Sequence, residues 1–321
     1  MKRVTAFILS LALLILPVLA GGEDSSASPD EFVAEIMDSY SFRDGNYAIA
    51  FRSMYDGETW LCNAGEYFKA ASVYKLPLNM YFYEMETAGE IEPDAIVGGV
   101  RLDLAHYYSL EFSNNEISEA MLDYLGGYAQ YKTDILKYIG GAADDVTDEY
   151  YYDNAFTAEM LLNILDYLYS HSQDFEGQLE HMLAAQPGEY LESGELDCEI
   201  AQKYGSQSYD GVLHVAVAGI VYADEPFLIT VLTRSTYGAA EAMGRLCDAF
   251  AAWDAQRIAS IEESKLEGPP ASPTPNTDDG EAEELKQSAH EAVLSAIRAV
   301  CAAAPLPERL PWEIIFQKAS A

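Results

Sequence analysis

The first apolar pattern with a clear period along the chain is helical. Residues 30–40 follow a Ser-Pro-Asp start signal and place apolar side chains on one face of a helix. Two segments, 46–53 and 58–62, come next; both are rich in aromatic and aliphatic residues, and they flank Tyr55-Asp56-Gly57. An Asp-Gly step between such segments favours a tight reversal. The pattern therefore predicts a helix followed by a β-hairpin.

The middle of the chain, about 72–195, repeats its apolar residues mainly at helical spacing. The segments with this period are 76–87, 117–124, 131–138 and 157–169. Strand-like segments follow at 197–204, 212–222 and 226–233, and after them comes an amphipathic helix over 238–256. This order predicts an α+β fold, in which a five-stranded antiparallel sheet with flanking terminal helices carries an inserted all-helical lobe.

The N-terminal end differs in composition from this domain, which we place at residues 30–256. Residues 1–20 begin with Met-Lys-Arg, continue as an apolar run and end in small residues, the pattern of a cleaved secretory signal peptide. An uncleaved membrane anchor is the alternative, but the run falls short of the roughly 20 apolar residues that span a bilayer. Residues 21–29 form a polar spacer. We therefore expect a secreted or cell-envelope protein that meets the membrane only through an uncleaved signal peptide.

The C-terminal end also has its own composition. Residues 257–280 include an acidic run rich in proline, which predicts a linker. Residues 281–321 begin with an Ala-rich segment of helical spacing, and we predict a helical tail there. We expect this tail to be peripheral to the domain.

Charge narrows the classes of partner. The chain has 18 Lys and Arg against 53 Asp and Glu, a formal net charge of -35. Such a surface repels phosphate backbones, so we expect no nucleic-acid partner. The 4 cysteines show no CxxC spacing and the histidines no i, i+4 pair, so neither a metal nor another cofactor is expected. Cys62 and Cys198 both fall on predicted strands and are candidates to approach one another, with the pairing left open.

Candidate chemistry begins where the helical block starts, at Ser72-Val73-Tyr74-Lys75. A spacing of three residues puts the hydroxyl and the amine one helical turn apart on the same face, within reach of one another. A first-turn serine also lies near the positive end of the helix dipole, where a developing oxyanion is stabilised. A Ser-x-x-Lys pair on its own also occurs by chance in many proteins.

Two further motifs follow in order. Ser113-Asn114-Asn115 lies within the helical block, where it is also an ordinary helix N-cap, and Lys203-Tyr204-Gly205-Ser206 lies on a predicted strand. Together with Ser72-x-x-Lys75, they resemble the Ser-x-x-Lys, Ser-Asp-Asn and Lys-Thr-Gly motifs of class A β-lactamases and penicillin-binding proteins. Asn114 and Tyr204 depart from that pattern.

The resemblance implies a serine hydrolase with an acyl-serine intermediate. Ser72 would attack an amide carbonyl, Lys75 would take its proton, and Ser113 would pass a proton to the leaving nitrogen. Asn115 would hydrogen-bond the substrate and Lys75. Lys203 would bind a substrate carboxylate and help to keep Lys75 unprotonated.

The strand motif carries further implied roles. Gly205 would leave room for the substrate, and the backbone amides of Ser72 and Ser206 would form an oxyanion hole. Tyr204 would narrow the site or stack on the substrate. The resemblance further implies a small-molecule substrate, either a β-lactam or a D-alanyl peptide. We also expect a monomer.

Hydrolysis of the acyl-enzyme needs a base, which the family carries as a glutamate on a loop. Residues 140–153 lack the family's Glu-x-x-Leu-Asn run, and Asp148 and Glu149 are the nearest candidates, each of which is also explained as a solvated loop charge. Three functions therefore stay open: hydrolysis of the β-lactam amide, a penicillin-binding or D-alanyl peptidase-like enzyme with slow deacylation, and a binding scaffold whose catalysis has decayed.

Overall fold

A computed structural model of the chain describes residues 28–140, 146–185, 189–234 and 238–267. The predicted signal peptide, the predicted tail and almost all of the spacer lie outside these ranges. The strands of the main sheet are β1 (Tyr47–Ser53), β2 (Thr59–Cys62), β7 (Glu199–Tyr209), β8 (Val212–Tyr222) and β9 (Phe227–Arg234). They lie in the order β2-β1-β9-β8-β7, and every neighbouring pair is antiparallel. The predicted five-stranded antiparallel sheet is confirmed.

Helices account for most of the remaining structure. Those described are α1 (Asp30–Ser39), α2 (Lys75–Thr87), α3 (Leu102–Leu110), α4 (Asn115–Tyr124), α5 (Tyr128–Asp134), α6 (Asp148–Tyr152), α7 (Ala158–Ser170), α8 (Glu176–Leu183) and α9 (Ala239–Glu267). Short 3₁₀ helices span Ala71–Tyr74, Ile135–Tyr138 and Ser172–Asp174. Four two-residue strands also lie between β2 and α7, and they pair as β3 (Phe68–Lys69) with β6 (Ala155–Phe156) and as β4 (Ile96–Val97) with β5 (Val100–Arg101). The helical lobe is therefore an insertion between β2 and β7, as predicted.

The two faces of the sheet bury different side chains because residues alternate along each strand. The face toward the helical lobe carries small residues such as Ala48 and Ala216, which let the lobe approach closely. The opposite face carries larger ones, such as Phe51 and Val217, which pack against α1 and α9. Phe51 stacks on Phe250 of α9 with ring centroids 4.7 Å apart. Burial of each such side chain contributes about 1.5–3 kcal/mol to folding.

The predicted end of the last helix is wrong. The sequence predicts a linker that begins at residue 257, whereas α9 continues to Glu267. Ile258 is buried, and the Arg257 guanidinium binds the Asp56 carboxylate with Nη1 to Oδ2 at 2.6 Å. No proline or glycine occurs between Arg245 and Glu267, so the helix continues past residue 256 and ends before Gly268.

The expectation that Cys62 and Cys198 approach one another is also wrong. Cys62 ends β2 and Cys198 directly precedes β7, and these strands form opposite edges of the sheet. Four strand spacings of about 4.8 Å separate them, far more than a disulfide spans. Both thiols are free.

Across the four described ranges, no helix combines the length and the hydrophobicity that a bilayer span requires.

Candidate active site

Ser72 lies in a 3₁₀ turn, Ala71–Tyr74, which runs directly into α2. The residue before it, Ala71, has φ of 46°, a left-handed conformation that costs a non-glycine residue about 1–3 kcal/mol. Asn154 holds this backbone in place: its Nδ2 donates to the Ala71 carbonyl at 2.7 Å, and its own carbonyl accepts the Ala70 amide at 3.0 Å. The turn presents Ser72, half-buried, to a cavity of about 400 Å³.

Lys75 lies one turn further along and is fully buried. Its Nζ is 2.6 Å from the Ser113 carbonyl oxygen, 2.7 Å from Asn115 Oδ1 and 3.3 Å from Ser113 Oγ. Burial lowers its pKa to about 8, against an opposing effect from the Glu119 carboxylate. A lysine tuned in this way has a neutral fraction large enough to act as a base near neutral pH. Among the described residues, Ser72 Oγ itself has no hydrogen-bond partner.

Ser113 connects two buried lysines. It has φ of 52°, in the left-handed region, at the junction of α3 and α4. Lys203 Nζ donates to Ser113 Oγ at 3.0 Å and to the Tyr204 carbonyl at 3.0 Å. Lys75 approaches the same Oγ from the other side. One hydroxyl thus bridges two amines, which is the geometry of a proton relay.

Lys203 is also fully buried, and both burial and the nearby Lys75 charge lower its pKa. The predicted reverse effect, of Lys203 on the pKa of Lys75, stays a prediction, because burial and Glu119 account for the shift at Lys75.

Asn114 caps α4, because its Oδ1 accepts the Ile117 amide at 3.0 Å. The motif can therefore be an N-cap and part of the site at once. The cap fixes where α4 begins, and the next residue, Asn115, contacts Lys75.

Gly205 packs directly against Ser72. A Cβ built on it would lie 2.3 Å from the Ser72 amide nitrogen and 2.8 Å from Ser72 Cβ. We predicted that Gly205 leaves space for the substrate. The structure shows that Ser72 occupies the space that a Cβ at this position would need. Ser206 follows on the edge strand β7 and lines the same cavity as Ser72, and an oxyanion hole formed by their two amides stays a prediction.

The expected role of Tyr204 is corrected by the structure. Lys203 and Gly205 face the lobe, so the residue between them points to the opposite face of the sheet. There its side chain is buried and stacks on Tyr190 with centroids 4.4 Å apart. Its carbonyl accepts a hydrogen bond from Lys203, whose Nζ also lies 4.7 Å from the centroid of the Tyr204 ring. The ring is therefore not available to narrow the cavity or to stack on a substrate.

The two carboxylates offered as a deacylation base lie away from the cavity. Asp148 and Glu149 are exposed in the first turn of α6, and neither lines the cavity that contains Ser72. The carboxylates that do line it are Glu119 of α4 and Asp153, which follows α6. Sequence reasoning missed both, although Glu119 follows Asn115 by one helical turn. Within the described part of the chain, no three His, Cys, Asp or Glu side chains come together as a metal site.

Comparisons with known proteins agree with this geometry. The sequence pattern of a family described as "Beta-lactamase enzyme family" matches residues 29–100, which include Ser72 and Lys75. Among curated proteins, no match was found.

Solved β-lactamase structures share the fold over most of the described chain. A β-lactamase from Chitinophaga pinensis is 20% identical, with a TM-score of 0.58, and the match covers 71% of this chain and 98% of that one. One from Burkholderia vietnamiensis is 14% identical with a TM-score of 0.60, covering 73% and 99%. A variant of the class A β-lactamase of the last common ancestor of Gram-negative bacteria is 15% identical with a TM-score of 0.60, covering 70% and 98%. The chain therefore has the β-lactamase fold, and the resemblance predicted from its motifs is confirmed.

Proposed function

We propose that this protein is a serine hydrolase of the class A β-lactamase type, which opens the β-lactam amide through an acyl-serine intermediate. The observation that carries the proposal is the contact chain from Lys75 through Ser113 to Lys203, beside a nucleophile that lines a cavity. The three motifs lie far apart in sequence and meet at this one place.

The acylation step follows from these positions. Neutral Lys75 takes the proton of Ser72 as the Ser72 oxygen bonds to the carbonyl carbon, and the amides of Ser72 and Ser206 stabilise the oxyanion. When the carbon–nitrogen bond breaks, Ser113 gives its hydroxyl proton to the leaving nitrogen. Lys75, 3.3 Å away, returns a proton to Ser113 Oγ. The net result is one acyl-serine, one amine and no change in protein charge.

Lys203 and Asn115 orient the substrate in this proposal. A substrate carboxylate placed near Lys203 would favour its protonated form, because an opposite charge raises the pKa of a lysine. The Asn115 amide holds Lys75 through Oδ1, which leaves its Nδ2 free to donate to a substrate carbonyl. We further propose that the protein acts as a monomer, and that residues 1–20 direct its export.

The first experiment follows a chromogenic cephalosporin and a D-alanyl peptide with the full chain and with Ser72→Ala. Cephalosporin turnover that disappears in Ser72→Ala supports the proposed hydrolase. A long-lived adduct, or cleavage of the peptide alone, favours the penicillin-binding or peptidase-like enzyme. Absence of both adduct and turnover contradicts the hydrolase and favours a binding scaffold.

A further inference from the structure

The step that the motifs leave unassigned is hydrolysis of the acyl-enzyme. Water must be deprotonated beside the acylated Ser72, so the base has to face the same cavity as the serine. In the described residues, the carboxylates that line this cavity are Glu119 and Asp153.

Asp153 is already engaged. It forms an ion pair with Lys69, and its Oδ1 accepts the backbone amide of Asn154 at 2.7 Å. A carboxylate held by a cation and an amide is a weaker proton acceptor, because both partners stabilise its charged form. Its contacts give it a structural role next to the strand pair β3–β6, which leads into the nucleophile turn.

Glu119 has neither kind of partner in the described structure. It lies on α4 one turn beyond Asn115, on the helix whose first residue already contacts Lys75. Burial is the main cause of the pKa shifts of Lys75, Tyr74 and Tyr128, and the Glu119 charge acts on all three in the upward direction. The two tyrosines line the cavity. The carboxylate is thus electrostatically coupled to the catalytic lysine while it remains open to solvent.

We propose that Glu119 is the general base that deacylates Ser72, an inference that rests on the proposed acyl-serine function. Its carboxylate takes one proton from a cavity water as the water oxygen bonds to the ester carbonyl carbon. The bond from that carbon to Ser72 Oγ then breaks, and the proton returns from Glu119 to Oγ. Water is added across the ester, and both side chains are regenerated.

The base in this arrangement comes from a helix rather than from the loop before α7. The segment before α7 then needs no catalytic carboxylate, and the exposed Asp148 and Glu149 of α6 are explained as solvated charges.

The test separates formation of the adduct from its decay. The full chain, Glu119→Gln and Glu119→Asp are mixed with benzylpenicillin, and intact-protein mass is followed from seconds to hours. Glu116→Gln is the matched control, because Glu116 is an exposed carboxylate on the same helix that does not line the cavity. Melting temperatures are measured for every variant, so that a folding defect is recognised.

We expect Glu119→Gln to form the adduct and to lose it at least about 100-fold more slowly than the wild type. Glu119→Asp should decay at an intermediate rate, and Glu116→Gln at the wild-type rate. Equal decay in Glu119→Gln and wild type, or a wild-type adduct that never decays, would overturn the role of Glu119 while the acyl-serine function stands. Absence of any wild-type adduct would overturn both.

Discussion

A Cβ on Gly205 would lie 2.3 Å from the amide nitrogen of Ser72, closer than two such atoms approach in folded proteins. The edge strand and the nucleophile turn thus fit together only if this position has no side chain. The contact involves backbone atoms of Ser72, so movement of a flexible side chain does not relieve it.

Gly205→Ala should therefore displace Ser72 from its place beside Ser206. We expect slower acylation. We also expect the free energy of unfolding to fall by about 1–3 kcal/mol, because an added methyl group overpacks the site. Gly65→Ala is the control, because a Cβ there would meet nothing within 4 Å. Denaturant unfolding and adduct formation measure the two effects, and wild-type acylation in Gly205→Ala would contradict this view of the site.

Lys75→Met should keep the buried volume and remove the base. We expect acylation to slow by about 10²–10⁴, the contribution of a positioned general base. The exposed Lys137 offers a control, Lys137→Met, which should acylate normally. If both variants acylate at the wild-type rate, Lys75 is not the base.

Acylation by the wild-type protein should depend on pH in a defined direction. The reactive form of Lys75 is the neutral amine, and its pKa is lowered to about 8, so the rate should rise with pH and level off above about 8. Burial favours the neutral form of Lys75 and the Glu119 carboxylate opposes it. A rate that falls as pH rises from 6 to about 8 would contradict the assignment.

Tyr204→Phe should leave acylation unchanged, because Phe keeps the ring that stacks on Tyr190 and contacts the Lys203 ammonium. The hydrogen bond from Lys203 goes to the backbone carbonyl, which the substitution does not alter. Tyr204→Ala should lower stability by about 3 kcal/mol through the cavity it creates. The acylation rate and the melting temperature are both measured for each variant and for the wild type. Slower acylation by a stable Tyr204→Phe protein would contradict this prediction and indicate that the tyrosine hydroxyl takes part in the reaction.

Much of this arrangement could be predicted from the sequence, since the apolar period set the element types and the motif residues fell on the expected elements. Hydrogen bonds connect Lys75, Ser113, Asn115 and Lys203, and Ser72 lines the same cavity as Asn115. The roles given to these residues stay predictions. The predictions that failed are those that depend on how the elements are placed in three dimensions.

The individual errors have separate physical causes. The direction of Tyr204 follows from strand alternation once Lys203 is known to face the lobe, a fact that needs the structure. The separation of Cys62 from Cys198 depends on strand order, which apolar pattern alone does not determine. Glu119 carried a usable signal, since it follows Asn115 at a helical spacing of four residues, but only the cavity shows that it faces Ser72.

The most direct test of an acyl-serine mechanism is to locate the adduct. Trypsin cuts after Lys69 and Lys75 and releases the peptide Ala70–Lys75, in which Ser72 is the only serine. After quenching of a benzylpenicillin reaction, fragment-ion mass spectrometry should find one penicilloyl group on Ser72 of this peptide, and Ser72→Ala should carry none. A penicilloyl group on another residue, or an equal adduct on Ser72→Ala, would contradict the assignment of Ser72 as the nucleophile.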